Sequence, residues 1–254
     1  MKLLKDTDAG WEKLGQSEPY WAVLTHEDYR ARSLEGSARD SFFGSGERHV
    51  QLVYDVIAKH FDPGFSARAT LDFGCGVGRL VIPFAKRGGD VVGVDISPAM
   101  LDEAARNAAA YGVSADFVLS DDGLSRLSRT FDLVHSVIVL QHISPARGDR
   151  IFARLLDLVS PGGIAAIHLT YHTPSRRPKR LLHWARARVP GLAALANIML
   201  RQPMGTPHIP MYEYDLRRIF RAVSEISADT HVLHTDHVGN LGVFIFCRRS
   251  RAPH

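Results

Sequence analysis

The chain has 254 residues, of which 45% are hydrophobic, 23% charged and 9% aromatic, and its formal net charge is +4. This composition is typical of a folded globular protein and excludes a disordered, collagen-like or low-complexity chain. Cys75 and Cys247 are the two cysteines, too few for a disulfide framework or a cysteine-rich zinc site. Because there is no apolar run of about 18 residues and no signal-peptide pattern, we expect a cytoplasmic protein.

The first 66 residues show no strand-like alternation. Apolar and aromatic residues on both sides of Pro19 indicate short helices. Apolar residues at helical spacing then predict a helix over 49–61, which Asp62-Pro63-Gly64 ends. Segment 42–46, which contains two glycines, is a candidate hinge. We therefore predict a helical N-terminal segment, residues 1–66.

From Ala69 onward, short apolar runs alternate with helical patterns. The runs are residues 69–73, 91–94, 116–119, 131–140 and 164–170, and the helical patterns are residues 80–87, 98–111 and 146–159. Alternation at this spacing is typical of βαβ units and predicts a mostly parallel sheet. Residues 212–254 then hold a predicted helix, 213–223, and two strands, 225–235 and 240–248, which we expect to pair antiparallel.

Residues 171–211 interrupt this rhythm with prolines and basic side chains. No Asp or Glu lies between Asp157 and Glu213, whereas the stretch contains Arg176, Arg177, Lys179, Arg180, Arg186, Arg188 and Arg201. Apolar residues at helical spacing on either side of Pro190 predict two short amphipathic helices in an inserted cap. Three interpretations of the charge stay open: a solvated surface, a patch that steers an anionic acceptor and, ranked last, contact with an anionic membrane.

A glycine-rich turn follows the first predicted strand, in the segment Leu71-Asp72-Phe73-Gly74-Cys75-Gly76-Val77-Gly78-Arg79. Glycines between a strand and a helix allow the backbone to approach a nucleotide-type ligand closely. The spacing is G-x-G-x-G, and Arg79 stands where the dinucleotide-binding fingerprint needs its third glycine. No Walker lysine follows, which excludes a P-loop.

With four further landmarks, this turn resembles the opening motif of the class I S-adenosylmethionine-dependent methyltransferases. The landmarks are Asp95 after the second run, Asp121 or Asp122 after the third, Phe131-Asp132 and Gln141-His142 around the fourth, and Pro161-Gly162-Gly163 before the fifth. The resemblance implies an α/β, Rossmann-like fold: a seven-stranded, mostly parallel sheet of order 3-2-1-4-5-7-6 with an antiparallel last strand. Residues 67–170 are then the cofactor-binding core and 212–254 complete it, while 1–66 form a lid and 171–211 a basic cap.

The resemblance also implies S-adenosylmethionine as the cofactor and S-adenosylhomocysteine as its product. Asp95 would accept hydrogen bonds from the ribose diol, and Asp121 or Asp122 would meet the adenine amine. Ile96 and Met100 would sandwich the adenine ring. The complete predicted set is Asp72, Gly74, Gly76, Gly78, Arg79, Asp95, Ile96, Met100, Asp121, Asp122 and Val137. No metal is expected.

The same resemblance makes His142, directly after the fourth strand, the first candidate for a catalytic base. An unperturbed imidazole titrates near pH 6.5, which suits removal of a proton from an acceptor hydroxyl or amine. Packing in the following loop is an equally weighted alternative. Tyr171 and His172, just past the fifth strand, are second-rank candidates, whereas His135 and His168 lie inside strands and are expected to be packed.

The acceptor class is narrowed by motifs that the sequence lacks. Methyltransferases of nucleic-acid base amines resemble one another in an Asn/Asp-Pro-Pro-aromatic motif, but Ser136-Val137-Ile138-Val139 stands at that point, and no Pro-Cys nucleophile occurs. We expect O-methylation of a small molecule, either a sugar or a secondary metabolite. An anionic group on this acceptor would match the charge of the basic cap. N-methylation is the alternative, and a non-catalytic cofactor-binding protein is the rival from another class. A nucleic-acid modifier that uses the basic cap is a third rival, although no nucleic-acid partner is favoured. The oligomeric state stays open.

Overall fold

The computed structural model describes residues 6–30, 34–174 and 210–251, which fold around one seven-stranded sheet. The strands are β1 (Ala69–Phe73), β2 (Asp90–Asp95), β3 (Asp116–Leu119), β4 (Phe131–Ser136), β5 (Val159–His172), β6 (Asp229–His237) and β7 (Asn240–Arg248). Their order is β3-β2-β1-β4-β5-β7-β6, with β7 antiparallel to both of its neighbours and the other pairs parallel. The predicted fold class and strand order are confirmed.

Helices cover both faces of this sheet. They are α1 (Asp6–Ser17), α2 (Pro19–Val23), α3 (Gly36–His60), α4 (Val81–Lys86), α5 (Pro98–Ala110), α6 (Pro145–Asp157) and α7 (Leu216–Ser224), with 3₁₀ turns at Glu27–Tyr29 and Leu140–His142. On one face Val53 of α3 is buried in a cluster with Leu133. On the other face Leu155 of α6 is buried in a cluster with Val134. Successive residues of β4 are therefore buried on opposite faces, as is typical of a strand covered by helices on both sides.

Strand β4 ends four residues earlier than its apolar run predicts. The run continues to Leu140, but the strand stops at Ser136 because Ile138 adopts φ 61°, outside the extended region. A 3₁₀ turn over Leu140–His142 follows. This break turns the end of the apolar run into a loop at the carboxyl edge of the sheet.

Helix α3 is longer than predicted and contains the segment expected to be a hinge. It runs from Gly36 to His60 without a break, and Phe42 and Phe43 are buried within it. Gly46 lies against the backbone of the turn after β1, where an added Cβ would stand 2.2 Å from the Arg79 carbonyl oxygen. Burial of this helix face explains why the segment is helical, and the hinge prediction is not supported.

Helix α7 and strand β6 begin later than the sequence pattern predicts, whereas β7 has the predicted bounds. Helix α7 starts at Leu216, because the Asp215 side chain caps it by accepting a hydrogen bond from the Arg217 backbone N–H. Strands β6 and β7 form the expected antiparallel hairpin. The two helices predicted for the inserted cap lie outside the described residues. Within the described ranges, no helix has the length and apolar character needed to cross a membrane.

Candidate active site

The carboxyl ends of the parallel strands open into a cavity of about 460 Å³. Its volume lies in the range of roughly 300–1,000 Å³ typical of small-molecule sites, at the edge where open α/β sheets bind ligands. Of the predicted site residues, its wall includes Asp72, Gly74, Gly76, Arg79, Asp95, Ile96, Met100, Asp122, Val137 and His142. Among the described residues that do not line it are Gly78, Asp121, Tyr171 and His172.

The glycine turn brings bare backbone to the floor of the cavity. Gly74 and Gly76 have φ of 77° and 52°, in the left-handed region that favours glycine. A Cβ on Gly74 would stand 2.2 Å from a methyl group of Val139, and one on Gly76 2.6 Å from a methyl group of Val23. Larger residues would therefore displace the cavity wall, whereas Gly78 serves packing against α5 through Ala104.

Asp95, at the end of β2, is held by the backbone of two neighbouring segments. One carboxylate oxygen accepts a hydrogen bond from the Gly76 N–H at 2.9 Å, and the other accepts one from the Ser97 N–H at 3.0 Å. Burial raises the pKa of Asp95, and these N–H groups oppose that rise. Each oxygen keeps a free lone pair, so the side chain can accept two further hydrogen bonds from a diol.

Asp72 and Arg79 place opposite charges in the cavity wall, and each has a polar atom that a ligand could bind. Asp72 is 2% exposed and Arg79 is 8% exposed. Asp72 Oδ2 and Arg79 Nε are both buried without a hydrogen-bond partner among the described residues. Burial lowers the pKa of Arg79 to about 10, and the charge of Asp72 opposes this. Orphaned buried polar atoms are costly, so a ligand carrying both an ammonium and a carboxylate group would satisfy them.

The two aspartates after β3 have different positions. Asp121 is exposed and accepts hydrogen bonds from the backbone N–H and the hydroxyl of Ser125. Asp122 lines the cavity and receives a bidentate contact from Arg147, with its oxygens 3.1 Å and 3.0 Å from Arg147 Nε. Of the pair that the sequence left open, Asp122 is the one on the cavity.

An ion-pair clamp that the sequence did not suggest ties helix α1 to the cavity rim. Besides Asp122, the Arg147 guanidinium donates to both carboxylate oxygens of Asp8, each at 3.1 Å. One turn further along α1, Glu12 accepts a hydrogen bond from the Ser97 hydroxyl at 2.6 Å. No sequence motif indicates these contacts, because Asp8 and Arg147 are 139 positions apart in the chain.

His142 is oriented by hydrogen bonds at both ring nitrogens. Its Nδ1 lies 3.1 Å from the Pro210 carbonyl oxygen, which can only accept, so Nδ1 carries the proton. Its Nε2 accepts from the amide N–H of Gln141 at 3.1 Å, and the Gln141 oxygen is itself bound by the Thr170 hydroxyl. Burial lowers the pKa of His142. A neutral imidazole is the form that a general base requires, and His142 could serve as one where an acceptor hydroxyl replaces the Gln141 N–H at Nε2.

Tyr171 and His172 stand apart from this site. Strand β5 continues through both residues, and His172 pairs with Leu241 of β7. Tyr171 packs against the core cluster on the α6 side, and His172 is exposed. Since continued strand pairing carries them past the cavity, the structure does not support their role as second-rank catalytic candidates.

The fold and the glycine turn with its following aspartate define a class of protein, the Rossmann-like methyltransferases. Residues 70–163 match the family model described as "Methyltransferase domain". This match, over somewhat more than a third of the chain, confirms the resemblance to the class I S-adenosylmethionine-dependent methyltransferases seen in the sequence.

Two curated methyltransferases are similar to this chain in sequence. The ubiquinone biosynthesis O-methyltransferase of Sinorhizobium medicae is 32% identical over 124 residues, which cover 45% of this chain and 49% of that protein. An uncharacterized methyltransferase of Synechocystis is 33% identical over 136 residues, 52% of this chain and 58% of that protein. The chain thus matches about half the length of these curated relatives.

Solved structures share the fold at lower identity. Magnesium protoporphyrin IX methyltransferase from Synechocystis, with bound S-adenosylmethionine, superposes with a TM-score of 0.61 at 20% identity, covering 98% of this chain and 100% of that chain. The N-methyltransferase NodS from Bradyrhizobium japonicum superposes with a TM-score of 0.59 at 12% identity, covering 96% and 99%. These likenesses establish the fold.

Proposed function

We propose that the protein is an S-adenosylmethionine-dependent methyltransferase that methylates a hydroxyl group of a small molecule. One observation carries this proposal: a buried carboxylate oxygen of Asp72 and a buried N–H of Arg79, each unsatisfied among the described residues, both belong to side chains of the cavity wall. The methionine part of the cofactor carries an ammonium and a carboxylate group, which match these two charges.

The remaining wall residues suit the nucleoside part of the cofactor. Asp95 offers two acceptors to the ribose hydroxyls, and the apolar side chains of Ile96 and Met100 offer contact to the adenine ring. Asp122 and the backbone of the β3 loop would meet the adenine amine. The chemistry supplied by S-adenosylmethionine, when bound, is a methyl group activated by a sulfonium centre.

His142 would act on the acceptor. Its Nδ1–H is held by Pro210, and Nε2 would take the proton from the acceptor hydroxyl once that hydroxyl replaces the Gln141 N–H there. Because burial lowers its pKa, the ring is neutral at pH 7 and ready to accept a proton. Alignment of the acceptor oxygen with the methyl group supplies the larger part of the rate, and proton removal adds to it.

The neighbours of His142 favour an acceptor with an apolar ring. Trp11 packs edge-on against the imidazole with ring centroids 5.2 Å apart. Ile143 and Met211 also line the cavity, next in the chain to His142 and to its partner Pro210. These walls support a secondary metabolite with a ring hydroxyl over a free sugar, and relatives named as O-methyltransferases support oxygen as the acceptor atom.

Residues 1–66 would serve as the lid over this site. Trp11 lies in the wall, and the contacts of Asp8 and Glu12 hold its helix against the rim. A closed lid would exclude water from the methyl group and stack against the acceptor. The core, residues 67–170 with 212–254, and the basic cap, residues 171–211, keep the roles proposed from the sequence.

Isothermal titration calorimetry with S-adenosylhomocysteine tests the proposal directly. The wild-type chain should bind it with micromolar affinity or better, and NADPH should give no heat. A chain that ignores S-adenosylhomocysteine, or that prefers NADPH, would overturn the proposed function.

A further inference from the structure

Behind the cavity, the Asp72 carboxylate is hydrogen-bonded to the imidazole of His135, which is in turn hydrogen-bonded to the imidazole of His49. Its Oδ1 lies 2.8 Å from His135 Nδ1, and His135 Nε2 lies 2.9 Å from His49 Nε2. His135 is 0% exposed. Asp72 and His135 are direct partners in the parallel pairing of β1 with β4, while His49 reaches them from α3.

The hydrogen bonds of these three side chains have one consistent direction. An ionised carboxylate only accepts, so His135 Nδ1 donates to Asp72 and His135 Nε2 is left as an acceptor. His49 Nε2 must then donate to His135. Burial lowers the pKa of His49 to about 2, so this ring stays neutral with a single proton. Both imidazoles therefore point a donor toward Asp72.

The second carboxylate oxygen of Asp72 differs from the first in its hydrogen bonding. Oδ2 is buried and finds no partner in the part of the chain that the structure describes, although Asp72 lines the cavity. The two histidines thus satisfy one oxygen and leave the other for a ligand. Other titratable groups act on these three residues from neighbouring segments: Cys75, Arg79, Asp95, His168 and His237.

We propose that His135, supported by His49, is a positioning residue: its Nδ1–H orients the Asp72 carboxylate so that Oδ2 receives the ammonium group of the cofactor. The inference rests on the proposed function. The expected packing role of His135 inside β4 is then only part of its contribution. His168, 1% exposed on β5, serves as a contrast, because its hydrogen bond goes to the Thr235 hydroxyl.

Calorimetry with S-adenosylhomocysteine on the full chain tests this. His135→Leu should raise the dissociation constant about tenfold, since a charge-assisted hydrogen bond to Asp72 is lost. His135→Asn, whose amide N–H can replace Nδ1–H, should recover affinity to within about threefold of wild type.

Two further variants distinguish positioning from packing. His168→Leu, which removes an equally buried histidine, should bind like wild type. His49→Leu should weaken binding less than His135→Leu, and it provides the test should His135→Leu fail to fold. Equal affinity in the wild type and in the folded His135 and His49 variants would overturn the positioning role while leaving the proposed function intact. A wild-type chain that does not bind would overturn both.

Discussion

The two halves of the cavity are built in different ways. The half proposed to bind the cofactor, the cofactor half, comes from residues close together in the chain: the glycine turn supplies Gly76 N–H, and the end of β2 supplies Asp95, only 19 positions later. The acceptor half gathers Trp11 from α1, His142 after β4 and Pro210 from beyond the inserted segment. Short-range backbone contacts therefore define the cofactor half, while side-chain contacts between distant segments define the acceptor half.

Replacing the proposed base should separate the halves most clearly. His142→Gln should lower turnover about a hundredfold or more, since no group at that position could take the acceptor proton. Cofactor affinity should change little, because Asp72 and Asp95 are untouched. Release of S-adenosylhomocysteine with a panel of small phenols measures the rate. His172→Gln is the matched control, being exposed and away from the cavity wall; equal rates for both variants would remove His142 as the base.

Replacing Asp95, the carboxylate proposed to bind the ribose hydroxyls, should weaken cofactor binding itself. Asp95→Ala should weaken S-adenosylhomocysteine binding about thirtyfold or more, because two hydrogen bonds to a charged acceptor are lost. Calorimetry measures this, and Asp121→Ala is the control because Asp121 is exposed and bonded to Ser125. Should Asp121→Ala prove the more damaging variant, the assignment of the cofactor half is wrong.

Breaking the clamp tests whether the acceptor half depends on α1. Arg147→Ala removes the contacts to Asp8 and Asp122, and hydrogen exchange of α1 amides should become about fivefold faster. Arg150→Ala, on the same helix, is the control because it approaches Asp122 only to 3.9 Å. Unchanged exchange in Arg147→Ala would mean that α1 is held by packing and by Glu12.

The smallest expected effect concerns stability and pH. Burial lowers the pKa of His168 to about 4, whereas an unfolded histidine titrates near 6.5. Between these values the unfolded chain binds the extra proton, so stability is fully present above about pH 6.5 and falls as the pH drops toward 4. The loss from pH 7 to pH 5 should be roughly 1–2 kcal/mol for this residue. Urea unfolding at both pH values measures it, and His168→Leu should show a shallower dependence.

The sequence predicted the cofactor half well because its signals are local. A glycine at positive φ, an aspartate ending a strand and Ser97 before Pro98 each act within a few residues, and Ser97 does cap α5 by accepting from the Met100 N–H. The end of β4 was missed because an apolar run does not reveal that Ile138 leaves the extended region.

The sequence predicted the alternating strands and helices and the glycine turn, because periodicity and turn chemistry depend on neighbours in the chain. Its resemblance to the class I methyltransferases implied the strand order, which the structure confirms, and the residues proposed to bind the cofactor. Three features are visible only in the folded chain. Asp122 is the aspartate after β3 that lines the cavity, and Arg147 binds Asp8. His135 and His49 form the hydrogen-bonded pair behind Asp72. These contacts join segments 60 to 140 positions apart, roughly, and depend on how helices and strands pack around one core.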